Sequence, residues 1–227
     1  MNKKVRDDLS LPPRSSLGDD VYERLLKEVI SLRFPPGERL SVDGLARMLN
    51  VSQTPVRAAL IRLEVEGLVD KKHNTGYRVA TYHSAERFSN IYDIRLLLEP
   101  AAAARAAVQA TIEQRDLCVS LSHKLDSLAS DDIDENSGQF ALLDRQFHDV
   151  IARSCGNDLI ADALGRLHTH MHLFRLRYHA SVARTAVAEH QVIVQAILDR
   201  DPDAAHYAMT KHIETSRDRM LPYYETV

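Results

Sequence analysis

The stretch PPGERLSVDGLARMLNVSQTPVRAALIRLEVEGLV, Pro35 to Val69, decides the fold of the N-terminal part of the chain. Pro35-Pro36-Gly37 closes whatever helix precedes it, because proline cannot continue a helix and glycine turns the chain. Ser41 then stands as the N-cap of a short helix from Val42 to Leu49. Asn50-Val51 makes a tight turn, Ser52 caps a second helix running to about Glu66, and Gly67 stops it in the C′ position. Pro55 lies in the first turn of that helix, where its missing N–H costs little. Val56, Leu60 and Leu63 recur at i, i+4 and i+7 and should pack inward. Gln53, Thr54 and Arg57 fall on the opposite side, at the helix N-terminal end.

Upstream, Tyr22, Leu25, Leu26, Val29 and Ile30 carry helical spacing from Asp19 onward, while the polar residues 1–16, with Pro12-Pro13, read as a flexible arm. Downstream, two short strands are expected near Leu68-Val69 and Tyr77–Ala80, joined by a polar loop containing Asn74-Thr75-Gly76. Helix, helix, tight turn, helix and hairpin is the order of a winged helix-turn-helix, so residues 17–80 form an expected DNA-binding domain. Beyond Thr81 almost no β-type alternation remains. Helices are expected at 84–109, 112–130, 136–155, 157–180, 184–200 and 202–220, with Pro100 kinking the first and Asp201-Pro202 opening the last. Short connections between them predict an antiparallel bundle over residues 81–227. The expected fold class is mainly α: an N-terminal winged helix-turn-helix plus a C-terminal all-α antiparallel helical bundle.

Composition sets the outer limits. Hydrophobic content of 44%, charged content of 27% and a net charge of −3 are ordinary for a globular chain and argue against nucleic-acid-binding surface throughout. Charge is uneven, however. Lys3, Lys4, Arg6, Arg57, Arg62, Lys71, Lys72 and Arg78 lie within residues 1–80, and residues 126–135 (DSLASDDIDE) are strongly acidic. No apolar run approaches the ~18 residues of a membrane span. The N-terminus has no apolar export core, and two cysteines, Cys118 and Cys155, make no disulfide framework, so a cytoplasmic protein with no membrane partner is expected.

The run PPGxxL followed by LAxxLxVSxTPVRxALxxLxxxGLV closely resembles the DNA-binding domain of the GntR family of bacterial regulators. YDIRLLLEPAAA (Tyr92–Ala103), DRQFHDVIA (Asp144–Ala152), EHQVIVQAI (Glu189–Ile197) and MTKHI (Met209–Ile213) resemble the FCD effector domain of its FadR-like branch. The resemblance implies a homodimeric transcription regulator, expected to be a repressor, that binds double-stranded operator DNA and senses a small organic acid. It places DNA contacts on Ser52, Gln53, Thr54 and Arg57 and on Gly76 at the wing tip. Family members often carry arginine where this chain has Gln53, and a charged or basic residue where it has Asp43 or Gly44. Glutamine favours adenine edges and arginine favours guanine, so the operator is expected to differ from the family's best-known one. The alternative for Arg57 is a surface cation paired with Glu64 or Glu66.

In the bundle, Asp144 and His148 are spaced i, i+4 and project from one helix face. His190 opens an apolar stripe with Ile193, Val194 and Ile197, and His212 follows Ala205, Ala208 and Met209 on a similar face, so both point inward. A carboxylate with three imidazoles suits a borderline divalent ion, Zn²⁺, Ni²⁺ or Mn²⁺, whereas lone histidines on apolar faces are more often hydrogen-bonded core residues. The resemblance to metal-binding FCD members, which use an Asp-x₃-His pair and two later histidines, favours the metal. It also implies that Arg95 is directed at an anionic effector; the alternative is a salt bridge to Glu99 at i+4. His168 and His172, with His170 between them, form a rival pair at the pocket edge or in solvent. Two other functions compete: a regulator for which the ion itself is the signal, and a metal-dependent hydrolase. Against the hydrolase, no general base is positioned, since Glu189 points about 100° away from His190 around a helix.

Overall fold

The computed structural model describes residues 17–72, 76–82, 84–130, 133–167 and 180–225. The expected N-terminal arm, the hairpin residues Asn74-Thr75 and the histidines His168, His170 and His172 lie outside the described residues.

Helix α1 (Leu17–Ile30) opens with Asp19 and Asp20 in its first turn, where carboxylates complement the helix dipole, and buries Tyr22, Leu25, Leu26, Val29 and Ile30. Strand β1 (Arg39–Leu40) follows, then α2 (Val42–Leu49) with the bounds expected from the sequence. The Ser41 hydroxyl accepts from the Gly44 amide at 3.2 Å, and Asn50 ends the helix in the left-handed region at φ 52°. The second helix of the motif, α3 (Gln53–Val65), buries Val56, Ala59, Leu60 and Leu63 against α1. Strands β2 (Val69–Lys72) and β3 (Gly76–Val79) pair antiparallel, with Val69 opposite Val79 and Lys72 opposite Gly76. β1 adds to the other edge of β3 with Arg39 opposite Arg78, giving the sheet order β1-β3-β2. The sequence reading contained no strand at Arg39-Leu40: two residues carry no period, and their pairing is made with a strand far along the chain.

Helices α4 (Ala85–Gln109), α5 (Ile112–Ser130), α6 (Ile133–Arg153), α7 (Asp158–Gly165), α8 (Ala180–Leu198) and α9 (Pro202–Glu225) make the bundle. α4 continues as one helix through Pro100 and packs chiefly on α9. Asp201 caps α9 as expected, accepting from the amides of Asp203 and Ala204 at 3.1 and 3.0 Å. One expectation is corrected. Of the helix foreseen over 157–180, the described part ends at Gly165 and is followed by a turn at Arg166-Leu167, and residues 168–179 lie outside the described residues. Glycine weakens a helix where it falls, because its freer backbone loses more entropy on being ordered.

The bundle touches the winged helix-turn-helix through α6. Its Gly138 lies so close to α1 that a Cβ there would meet the Lys27 Cα at 2.9 Å. Two turns further along α6, the Arg145 Nη1 donates to Glu66 Oε1 at 3.2 Å, and the Tyr22 hydroxyl donates to the same carboxylate at 2.7 Å. Burial first, and Glu66 second, push the Tyr22 phenol above its ordinary range, so it stays a donor. Glu66 is the C-cap residue of α3. The end of one helix of the helix-turn-helix and the middle of a bundle helix therefore share one polar cluster, buried at Glu66 and Tyr22 and half-buried at Arg145.

Candidate functional sites

The N-terminal end of α3 presents a polar face. Ser52, Gln53, Thr54 and Arg57 are all exposed, and Ser52 makes no side-chain capping bond. Arg57 Nη2 donates to Gln53 Oε1 at 3.1 Å, and Gln53 Nε2 donates to Asp43 Oδ1 at 3.3 Å. The side chains expected at base edges are thus held together along the outer face. Arg57 is not engaged with Glu66, whose bonds run to Tyr22 and Arg145. Gly76 begins β3 at φ +86°, a conformation that suits glycine, and Arg39 and Arg78 stand exposed on neighbouring strands beside it. Arg62, counted among the basic residues near the motif, is used otherwise: it pairs with Asp19 at 2.7 Å and lies 3.6 Å from the Tyr22 ring centre.

Inside the bundle, three of the four residues singled out from sequence, His148, His190 and His212, form one cluster, and the fourth, Asp144, lies beside His190. α6 carries Asp144 and His148, α8 carries His190 and α9 carries His212, and all four are buried. One nitrogen from each histidine lies within 4.8 Å of the other two, and His190 Nε2 is 3.5 Å from Asp144 Oδ1. Phe147 stacks on His190 at 4.3 Å between ring centres and closes one side. Two ligands on a tetrahedral ion at bond lengths of about 2.1 Å lie roughly 3.4 Å apart, so the Asp144–His190 separation suits a shared ion. The donor set, one carboxylate and three imidazoles, fits zinc, nickel or manganese.

Two carboxylates stand behind the imidazoles. His148 Nδ1 is 2.6 Å from Glu99 Oε2, and His212 Nδ1 is 2.8 Å from Glu189 Oε2. A neutral ring donating Nδ1–H to a carboxylate carries its lone pair on Nε2, the arrangement that orients metal-binding histidines. Burial alone would raise the Glu99 carboxyl, but Arg95 and His148 outweigh it and hold it well below the ordinary value. Glu189 is likewise held low against burial, by His212 and by Arg219, whose Nη1 and Nη2 donate at 2.6 and 2.9 Å. Burial lowers the His212 imidazole, keeping it neutral near pH 7 and able to bind a cation. Arg95, 1% exposed, donates from Nε to Glu99 Oε1 at 2.5 Å and feels the charge of Asp144. The i+4 pairing foreseen as its alternative therefore exists, and it lies within the site rather than on the surface.

Sequence reasoning missed Glu99 and Glu189 as members of this site. The i, i+4 spacing of Arg95 and Glu99 was visible; the link from Glu99 to His148 was not.

A winged helix-turn-helix joined to a helical bundle with a buried polar centre is the build of a one-chain transcription regulator. Comparison with known proteins agrees. Residues 17–79 match the gntR family of bacterial regulatory proteins, and residues 90–215 match the FCD domain. The chain belongs to the GntR family, in the branch that carries an FCD domain, and is a transcriptional regulator rather than an enzyme. It is 28% identical over 208 residues to the transcriptional repressor RspR of Escherichia coli, covering 90% of this chain and 89% of that one. A regulator in an unstable DNA locus of Streptomyces ambofaciens is 30% identical over 203 residues, 88% of this chain and 83% of the other. Among solved structures, E. coli McbR/YncC shares the fold with a TM-score of 0.71 at 20% identity, over 94% of this chain and 99% of that chain. No helix among the described residues is long and apolar enough to cross a membrane.

Proposed function

We propose that this regulator is a repressor that binds a two-fold operator as a homodimer and is released by a small organic acid held beside a divalent ion. The observation that carries this reading is the cluster of His148, His190 and His212, with Asp144 beside His190 and with Glu99 and Glu189 fixing two of the rings. An ion held there would offer its remaining coordination positions to a carboxylate. Arg95 stands beside the site, and Glu99 takes only the Nε edge of its guanidinium, so the terminal nitrogens suit a carboxylate as second partner. That RspR is named a repressor supports the sign of the response. The test is operator binding by the metal-loaded chain across a panel of organic acids, using DNA selected from random sequence. Release by a carboxylate supports the reading. Affinity that follows the metal alone, with no response to any acid, would make the ion the signal instead.

On the DNA side, Ser52, Gln53, Thr54 and Arg57 are the proposed groove contacts and Gly76 the wing contact. Arg57→Ala is expected to weaken operator binding by about 1–3 kcal/mol if the side chain reads a base. Thermal stability should stay close to wild type, because the residue is exposed and its one bond is to Gln53. Parallel anisotropy titrations and thermal melts check both halves of this expectation.

For the homodimer, the support comes from α4. Ile94, Leu97, Ala101, Ala104 and Val108 follow alternating spacings of three and four, a coiled-coil seam. Leu97 is 70% exposed and Val108 61%, while the alanines between them allow close approach. Leu97→Glu should therefore shift the protein in sedimentation from a dimer toward the 25.6 kDa monomer, with loss of tight binding to a two-fold operator. A dimer unchanged by this charge would place the interface elsewhere.

A further inference from the structure

Between the bundle and the winged helix-turn-helix lies a cavity of about 360 Å³, within the range that holds small ligands. One end is lined by Glu99 and His148 of the buried polar centre, and the other by Arg145, Arg62 and Tyr22 at the contact between the two parts. Arg145 and His148 are i, i+3 on α6, so their Cβ atoms are about 5–6 Å apart on one side of the helix. The cavity thus has a guanidinium, Arg145, a short distance from an imidazole of the buried polar centre, His148.

The two arginines at the far end are not equally available. Arg62 is engaged on both sides, by Asp19 at 2.7 Å and by the Tyr22 ring. Arg145 contacts Glu66 from Nη1 at 3.2 Å and the Tyr22 hydroxyl at 3.5 Å, both longer than the 2.7–2.9 Å or so usual for a charge-assisted bond. Its side chain is 36% exposed, whereas that of Glu66 is 9% exposed and has the Tyr22 hydroxyl 2.7 Å from each oxygen. A carboxylate entering the cavity can take the guanidinium, and Glu66 keeps its bond to Tyr22.

We propose that this cavity is a second anchoring subsite for the effector, taking the far anionic group of a short two-headed acid on Arg145 in competition with Glu66. The near carboxylate sits at the His148 end, which rests on the metal-and-acid reading above. Occupation withdraws Arg145 from the C-cap of α3 and so unfastens the proposed DNA-reading helix from α6. One helix then carries both halves of the response: Asp144 and His148 face the polar centre, and Arg145 faces the DNA-binding part. The ligand class is narrowed to dicarboxylates or acids with an equivalent second anion.

The test uses the full-length chain and calorimetry with three probes: zinc alone, then acetate and succinate on the zinc-loaded protein. Succinate should bind wild type roughly tenfold or more tighter than acetate, the gain expected of one charge-assisted anchor. Arg145→Gln should bring the two acids to within about twofold of each other while acetate and zinc binding stay unchanged. Glu66→Gln should tighten succinate and leave acetate alone, because it weakens the competitor for Arg145; a merely structural Arg145 would not produce that gain. An unchanged succinate-to-acetate ratio in Arg145→Gln, a Glu66→Gln variant with no gain, or wild type binding neither acid overturns the proposal. Zinc binding is read separately. Failure to bind zinc with the Arg145-dependent preference intact removes the metal reading and leaves the subsite standing.

Discussion

His148→Ala is expected to remove metal binding and to lower thermal stability at the same time. An ion that binds only the folded chain stabilises it by about 2.7 kcal/mol at a hundredfold excess over Kd, and for a chain of this size that corresponds to roughly 5–10 °C in Tm. Chelation should lower the Tm of wild type by this amount and leave the variant unmoved, which separates lost metal from lost packing. The pH dependence has a definite sign. Burial lowers the His212 imidazole below its ordinary 6.5, so the unfolded chain binds a proton before the folded one does. Stability of the metal-free protein is therefore lost as pH falls below about 6.5 toward the folded value. Metal affinity should fall over the same window, because protons and the ion compete for the same nitrogens. A variant whose melting still responds to chelation would show that the other three side chains hold the ion without His148.

What the sequence revealed of this site follows from the range of the interactions involved. Asp144 and His148 share one helix face, and His190 and His212 each start or join an apolar stripe, so their inward direction could be read locally. Ser41, Asn50, Val56 and Leu60 were legible for the same reason: caps and helical periods act over a few residues. The carboxylates behind the rings were hidden because Glu99 meets His148 across 49 residues and Glu189 meets His212 across 23. No local period marks a side chain whose partner is chosen by helix packing. The Arg145–Glu66 contact spans 79 residues and joins two parts of the chain that were read separately. Nothing local marks Gly138 either; its meaning comes from the backbone of Lys27 lying against it. β1 was missed on the same principle, since two residues become a strand only because β3 is beside them. The end of α7 is different. Gly165 is a local signal that lies inside the expected span 157–180, and the described helix ends there.

The second large effect is expected at Glu99. Its carboxylate joins two buried partners, Arg95 at 2.5 Å and His148 at 2.6 Å, and is itself 4% exposed. Glu99→Gln keeps the shape and removes the charge. A buried guanidinium is then left without its counter-charge, a change that costs about 3–5 kcal/mol when one member of a buried pair is removed. The same substitution takes away the anion that orients His148, and loss of such a partner weakens metal binding by about 10–100-fold. These two consequences can be separated by a double-mutant cycle with Arg95→Met. Removing both members of the ion pair should recover much of the stability, because no unpaired charge remains, but it should not recover metal affinity, because nothing anionic then faces His148 Nδ1. Linkage adds a third signature. The Glu99 carboxyl is held well below its ordinary 4.5, so its contribution is complete above that value and is lost as pH falls toward the folded value. Wild type should show this acid limb in a plot of unfolding free energy against pH, and Glu99→Gln should show a flatter one. Recovery of metal affinity in the double variant would mean that His148 is oriented by packing alone, with Phe147 and the neighbouring imidazoles sufficient to hold it.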